Sequence, residues 1–353
     1  MAGLRGSLYF TMLVTIVLLG LLSAAPNGAE AQAVGVRYGL NGNNLPPPSA
    51  VVGLLQSKNI RKVRLFEPNR DALQALANSE LQNIANNPSA AGSWVATNIQ
   101  AYPAVQFGSI TVGSEIIPGP QAQLIKVSTV VSTAVTTGFP PSAGVFNPEA
   151  MPFMVPIVQF LSRTGCATHG HRNDVIGLDY ALFTANYDVV TDGDMRYRNL
   201  FDAMVDTVYS AIEKVDVPYL QKDDGLDRAA RISIHVPESG WPSRGSSGGS
   251  AAADAKVYEA TVCDASTYNQ NLVNHVAQGT PKSPGMPVQT YVFALFNENL
   301  KPGAETERNF GLFYPNMQPV YNINFPENIQ PPSLISSPSF MLRCRSNKLA
   351  MVM

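Results

Sequence analysis

Short apolar runs alternate with amphipathic stretches along most of this chain. Residues 34–38, 62–66 and 288–296 are brief and largely apolar, as in strands buried on both faces. Residues 150–161 and 200–215 instead repeat their apolar positions with a helical period. Strands separated by helical stretches indicate a parallel sheet of βαβ units. The pattern therefore predicts an α/β fold.

The composition narrows the class of protein. Of the 353 residues, 45% are hydrophobic, which is enough for a sizeable core, and only 14% are charged. The formal net charge is −2 and no basic stripe is present, which argues against nucleic acid as a partner. Low charge with many small polar residues suits an extracellular protein that meets neutral polymers.

The first 31 residues have the pattern of a secretory signal peptide. Arg5 supplies a positive charge, residues 8–22 are apolar apart from Thr and Gly, and residues 29–31 have a small-x-small pattern. We expect cleavage after Ala31. The mature protein is then expected to be secreted and to have no further contact with a membrane.

One domain is expected after the leader, over residues 32–325, because a single barrel of that length is ordinary. Residues 326–353 contain Pro-Pro and Ser-Ser without a clear period and are expected to form a loosely ordered tail. Cys166, Cys263 and Cys344 are odd in number, so a secreted chain would leave at least one unpaired. Their spacing matches no metal site.

Three glutamates follow apolar stretches that are predicted as strands. They are Glu115, Glu238 and Glu298. Because the carboxyl ends of parallel barrel strands meet on one face, these side chains are expected to converge there. Carboxyl groups held close together separate into one protonated acid and one ionised base or nucleophile. That pair is what glycoside cleavage requires, although the pattern alone indicates only a barrel with an acidic rim.

The residues around Glu238 resemble the signature of glycoside hydrolase family 17, the plant-type β-1,3-glucanases. Residues 234–243 read I-H-V-P-E-S-G-W-P-S, and the family motif is hydrophobic-x-hydrophobic-x-E-S-G-W-P-S. Similar blocks run in order from residue 34 to residue 325. They include V-R-Y-G at 36–39, V-R-L-F-E-P-N at 63–69 and Y-R-N-L-F-D-A-M at 197–204.

This resemblance implies a (β/α)8 TIM barrel that hydrolyses β-1,3-glucan polysaccharide without a metal or organic cofactor. It also implies a location in the apoplast or cell wall, where both plant defence and wall remodelling are compatible roles. We expect a monomer.

The resemblance also implies catalytic roles. Glu238 matches the nucleophile and Glu115 the general acid/base of a retaining mechanism, in which the two carboxyl groups lie ~5–5.5 Å apart. Glu298 and Lys301 match the acidic and basic pair beside the nucleophile, and Glu307 matches a further acid of that cluster. A cation at Lys301 would keep Glu238 ionised.

Aromatic and polar residues are expected to hold the sugar. The resemblance places Tyr38 and Trp241 in the cleft, with Phe296 as a support, because aromatic faces pack on the C–H faces of pyranose rings. Ser114 stands where the family has an Asn that hydrogen-bonds the substrate's 2-hydroxyl. Since Ser offers no amide, we expect weakened catalysis.

Two segments are shorter than in the family. After residue 79 and after Cys166, the third and sixth strands of the barrel have no counterpart in the sequence pattern, so an incomplete barrel is expected. These departures leave three functions open. The first is endo-hydrolysis of β-1,3-glucan, and the second is hydrolysis of mixed-linkage β-1,3-1,4-glucan. In the third, the chain is an impaired or inactive homologue that at most binds glucan.

Overall fold

Six parallel strands form the sheet that positions the polar residues discussed below. The computed structural model describes residues 33–66, 69–77, 82–86, 100–102, 104–111, 131, 135–164, 177–215, 234–245 and 259–326. The strands are β1 Val34–Tyr38, β2 Lys62–Leu65, β3 Gln82–Asn86, β4 Gln106–Thr111, β5 Thr136–Thr137, β6 Val145–Phe146, β7 Val190–Asp192, β8 Met195–Tyr197, β9 His235–Ser239 and β10 Gln289–Val292.

The parallel sheet has the order β4-β3-β2-β1-β10-β9. The first strand of the chain therefore lies beside the last, with Val34 opposite Thr290. β1 and β2 are buried along their whole length, as expected for a parallel sheet covered on both faces. Two short antiparallel hairpins, β5–β6 and β7–β8, lie outside this sheet.

The sequence pattern predicts that the third strand is missing, but the structure contains a strand at this place. β3 pairs with β2 through Lys62 and Gln82, and with β4 through Asn86 and Thr111. Its residues read Gln-Asn-Ile-Ala-Asn, and a strand with so few apolar residues has no hydrophobic pattern to reveal it. The expected loss of the sixth strand falls after Cys166, outside the described residues.

The helices cover the sheet and pack through one apolar face. They are α1 Pro48–Ser57, α2 Arg70–Ala77, α3 Met151–Thr164, α4 Leu178–Ala181, α5 Leu200–Glu213 and α6 Val262–His275. The side chains of Asn199 and Thr261 accept hydrogen bonds from the first turns of α5 and α6, which satisfies donors that a helix start leaves unpaired. The helices predicted at 150–161 and 200–215 are confirmed. Among the described helices, none has the length and apolar character needed to cross a membrane.

Helix α5 is fixed to the segment before β10 by a buried carboxylate. Asp206 is fully buried, and its Oδ2 accepts hydrogen bonds from the Tyr197 hydroxyl at 3.0 Å and from the Lys282 backbone N–H at 2.9 Å. Burial is the main reason that the pKa of Asp206 rises from 3.8 to about 6. The fold therefore favours the protonated form of this carboxyl.

This carboxyl makes stability depend on pH. Because its folded pKa lies above the unfolded value, the stabilisation is complete below pH 3.8 and is lost as pH rises through about 6. The difference corresponds to about 3 kcal/mol. We expect the free energy of unfolding of the unaltered chain to fall more steeply from pH 4 to pH 7.5 than that of Asp206→Asn, measured by urea denaturation. Equal slopes would contradict this assignment.

Candidate active site

Two buried arginines lie side by side in the sheet. Arg37 on β1 is opposite Arg64 on β2, and these residues are 3% and 0% exposed. The guanidinium carbon of Arg37 lies 3.2 Å from the centroid of the Phe66 ring and 4.4 Å from that of Phe293. Burial lowers the pKa of Arg37 to about 10, so the group stays protonated at neutral pH. Two buried cations require a nearby anion.

Glu238 on β9 is that anion. Its Oε1 lies 2.5 Å from Nη1 of Arg64 and 3.6 Å from Nε of Arg37. Nη1 of Arg64 also donates to the backbone carbonyl of Pro237 at 3.2 Å. The Glu238 side chain remains 32% exposed. Two buried arginines therefore hold the carboxylate from the protein interior. The exposed part of the side chain remains accessible to a ligand.

The Arg64–Glu238 contact also shows how strongly the sheet curves. β2 and β9 are separated by β1 and β10 in the sheet order, and three strand intervals of a flat sheet would span about 14 Å. A contact of 2.5 Å between side chains on these two strands therefore indicates that the sheet is curved rather than flat.

Glu298 is more deeply buried than Glu238. It is 2% exposed, and its Oε1 accepts a hydrogen bond from the Asn41 backbone N–H at 2.7 Å. The Glu298 carboxylate lies against the backbone of Gly39, where an added Cβ would overlap it. Gly39 is therefore needed for this close approach.

Lys301 pairs with Glu307 at 2.9 Å, and its Nζ lies 4.0 Å from the centroid of Phe293. The cation role beside Glu238 was predicted for Lys301. In the structure the cations in contact with Glu238 are Arg64 and Arg37. Both Lys301 and Arg37 lie against the Phe293 ring, so this lysine belongs to the same cluster, although among the described residues its ion pair is with Glu307.

In the E-S-G-W motif, Ser239, Gly240 and Trp241 each make a contact that explains the residue type. A Cβ at Gly240 would overlap the backbone carbonyl oxygen of Phe293. The Ser239 hydroxyl lies 2.7 Å from the Tyr268 hydroxyl, and the Trp241 ring packs on Tyr268 with centroids 5.5 Å apart. Trp241 is half-buried. It therefore presents part of an aromatic ring near Glu238 in the sequence.

Tyr38 and Phe296 lie deeper than the resemblance implied. They are 3% and 2% exposed, and their rings pack edge to face at 6.3 Å. Burial raises the pKa of Tyr38 to about 12, so its hydroxyl stays protonated. Tyr38 was predicted to line the sugar cleft, but with so little exposed surface it acts as packing beneath the site. The support role of Phe296 stays a prediction, and its contact with Tyr38 is compatible with it.

Several predicted residues fall outside the described part of the chain. These are Glu115, Ser114, Cys166 and Cys344. The third cysteine, Cys263, is an exposed free thiol. The separation of the Glu115 and Glu238 carboxyl groups therefore stays a prediction.

The two arginines were not among the residues singled out in the sequence, although a signal for them exists. Each is a basic residue inside a short strand, in V-G-V-R-Y and K-V-R-L. A charge inside a strand that is otherwise buried must have a partner, and the nearest candidates were the glutamates at the strand ends.

Comparison with known proteins gives a consistent result. Residues 34–325 match the sequence model of the family described as glycosyl hydrolases family 17. A Zea mays protein named glucan endo-1,3-beta-glucosidase, acidic isoform, is 41% identical over 360 residues, covering 91% of this chain and 99% of that protein. A Hordeum vulgare protein named lichenase-2 is 41% identical over 335 residues, covering 84% and 99%.

Two solved structures are similar to this chain in both sequence and fold. One, from a study of two plant beta-glucan endohydrolases with distinct substrate specificities, has a TM-score of 0.71 and 40% identity over 82% of this chain and 100% of that one. Another, CJP38, described as a beta-1,3-glucanase and allergen of Cryptomeria japonica pollen, has a TM-score of 0.69 and 38% identity, covering 83% and 98%.

A substitution at Gly39 tests the close approach of Glu298. We expect Gly39→Ala to lower the free energy of unfolding by about 1–3 kcal/mol, the usual cost of overpacking a buried site. Gly53→Ala in α1 is the matched control, because an added Cβ there meets nothing within 4 Å. That control is expected to gain about 0.5–1 kcal/mol from helix propensity.

Thermal and urea unfolding of both variants would measure the difference. If Gly39→Ala were as stable as Gly53→Ala, the Glu298 carboxylate could not lie against residue 39.

Proposed function

The chain belongs to glycosyl hydrolases family 17, and from that membership we propose that it is an endo-hydrolase of the β-1,3-glucosidic bonds in β-1,3-glucan. The name of the Zea mays relative supports this substrate. The observation that carries the proposal is the setting of Glu238. It is a partly exposed carboxylate near the C-terminal end of a parallel strand, in contact with two buried arginines.

Glu238 is the nucleophile of the proposed reaction. Its ionised carboxylate attacks the anomeric carbon, while Glu115 protonates the departing oxygen. Glu115 then deprotonates the water that cleaves the glycosyl-enzyme, so the configuration is retained. The guanidinium groups of Arg64 and Arg37 support this role because they hold the carboxylate in place through an ion pair each. The part of Glu115 rests on the family pattern.

The remaining acids act on Glu238 through Arg37. Glu298 and Glu307 both favour the protonated form of Arg37, against the effect of burial. Lys301 partly balances this negative charge through its pair with Glu307. We therefore assign Glu298, Lys301 and Glu307 supporting roles, in which they maintain the charge of the group that faces the nucleophile.

The half-buried ring of Trp241 is the proposed platform for a sugar unit. It is fixed from behind by Tyr268 and lies three residues after Glu238. An aromatic face at that position can pack on the C–H face of a pyranose.

We also propose that the six-stranded sheet is part of a (β/α)8 barrel, in which the loss of the sixth strand after Cys166 stays a prediction. Three observations support closure: the parallel pairing, the first strand lying beside the last, and the curvature that brings Arg64 to Glu238. In such a barrel the strand ends carry the active site on one face.

Secretion is a separate proposal, supported by the residues alone. Arg5, the apolar residues 8–22 and the small-x-small pattern at 29–31 indicate cleavage after Ala31. The folded domain then spans residues 32–325, which agrees with the extent of the family match, and residues 326–353 form a tail. The product would act outside the cell as a monomer.

The substrate has a second candidate, because the relative named lichenase-2 has the same 41% identity as the glucanase from Zea mays. Mixed-linkage β-1,3-1,4-glucan is therefore the comparison substrate in every assay.

Hydrolysis of soluble β-1,3-glucan tests the proposed function. We expect the purified mature chain to release reducing sugar from laminarin faster than from mixed-linkage glucan. Glu238→Gln removes the nucleophile and is expected to lower kcat by ~10³-fold or more. Circular dichroism of both proteins shows whether they are folded.

A folded, unaltered chain that releases no sugar from either polymer would overturn the enzyme proposal in favour of the impaired homologue. Ser114→Asn would then show whether that single substitution accounts for the loss. Faster release from mixed-linkage glucan would replace the proposed substrate.

Arg64→Lys tests how Glu238 is held. Lysine keeps the charge but cannot reproduce the planar, directed donors of the guanidinium group. Since a hydrogen bond to a charged group contributes about 1.5–3 kcal/mol, we expect kcat on laminarin to fall about 10- to 100-fold. Arg61→Lys, at an exposed position just before β2, is the matched control and is expected to keep kcat within about twofold. An unchanged kcat for Arg64→Lys would contradict the role given to Arg64.

A further inference from the structure

A second pocket is lined by residues other than those around Glu238. It lies between the hairpin β7–β8, the start of α5 and the second half of α6, and it has a volume of about 390 Å³. Cavities that hold small molecules are usually ~300–1,000 Å³. The pocket is therefore large enough for a compact ligand, and the proposed reaction does not use it.

The floor of this pocket is a fixed polar cluster. Asp202 is 4% exposed, and its Oδ1 lies 2.6 Å from Nε2 of His275. Its Oδ2 accepts a hydrogen bond from the Asn199 side chain at 2.8 Å, and its backbone N–H donates to the Asn199 side-chain oxygen at 2.8 Å. These contacts set the position of the buried carboxylate before any ligand arrives, as in a preorganised site.

The charged groups around the pocket are paired with one another. Arg196 and Arg198 line it, and both pair with Asp188, at 3.8 Å and 2.7 Å. Asp202 in turn pairs with His275. Because the charged groups already have partners within the protein, the pocket offers no free charge to an ion, which favours a neutral ligand.

The remaining lining suits a ligand that carries hydroxyl groups. Three side-chain amides, of Asn271, Asn274 and Gln278, line the pocket. Each amide has both donors and an acceptor, and a hydroxyl group also both donates and accepts. Phe183 adds an apolar surface, so the pocket combines one aromatic ring with several amides.

The pocket and the end of β9 share one packed support. The Tyr268 ring contacts both Phe183 and Trp241, with centroids 5.5 Å apart in both cases. Phe183 has a φ of 60°, a backbone conformation that is uncommon for a bulky side chain, and its ring also packs on Phe201 at 6.0 Å. A ligand held in the pocket is therefore fixed relative to Glu238.

We propose that this pocket is a second saccharide-binding site, which holds one or two units of a neutral polysaccharide while another part of the polymer occupies the cleft at Glu238. Only the identity of the polymer, β-1,3-glucan, rests on the proposed function. Two sites on one rigid protein raise the apparent affinity for a long polymer, because binding at the first makes the second intramolecular. A short oligosaccharide that fills only the cleft gains nothing from the pocket.

Blocking the pocket separates these two substrates. Ala185 lines it, and Ala185→Trp places an indole inside. Met286→Trp, at a residue 53% exposed that does not line the pocket, adds the same group elsewhere. We expect Ala185→Trp to weaken binding to insoluble β-1,3-glucan particles about tenfold while kcat/KM on laminaripentaose stays within about twofold. Met286→Trp is expected to change neither.

A second variant guards against misfolding of the first. Asn274→Ala with Gln278→Ala removes two exposed amides and is expected to weaken particle binding at least threefold with an unchanged Tm. Unaltered particle binding in both variants would overturn the second site. Equal losses on particles and pentasaccharide would place the pocket within the cleft and also overturn it.

Particle binding is measured with Glu238→Gln added to each variant, which removes turnover, so it remains informative if the chain proves inactive. Loss of hydrolysis in the unaltered chain contradicts the proposed function, whereas loss of binding confined to the pocket variants supports the second site.

Discussion

The contact between Arg64 and Glu238 constrains the rest of the structure. It joins strands that are three places apart in the sheet, so it forms only when the sheet is curved. It also buries a guanidinium group completely, and an unpaired charge there would be strongly destabilising. The packing of the sheet and the position of the proposed nucleophile therefore depend on the same two side chains.

Cations and aromatic rings alternate around this contact. The Phe66 ring, the Arg37 guanidinium group, the Phe293 ring and the Lys301 ammonium group follow one another at 3.2 Å, 4.4 Å and 4.0 Å. Each ring presents its negative face to a cation, which offsets part of the repulsion among like charges. The rings therefore act together with Glu238 and Glu307, which pair with these cations, to hold several positive groups close to one another.

The sequence predicted the helices at 150–161 and 200–215 and much of the sheet, because these depend on hydrophobic period. It did not predict α4 or α6, where the apolar period is weaker. It did not reveal β3, whose Gln-Asn-Ile-Ala-Asn residues lack a strand pattern and rely on pairing with β2 and β4. It also assigned Tyr38 to the cleft, since a side chain's depth depends on tertiary packing. Arg64 was missed because its partner lies 174 residues away, a distance that no local pattern spans.

The same long separations decide when the site comes into being. The arginines belong to the first fifth of the chain, whereas Glu238 and Glu298 come far later, and the Asn41–Glu298 hydrogen bond links residues 257 positions apart. β1 pairs with β10, which is made much later. A growing polypeptide therefore holds the two arginines before Glu238 and Glu298 have been made. Contacts of this kind close late in folding. A partly synthesised chain would thus be inert, and the proposed glycosidic cleavage would begin only once the whole domain had been made.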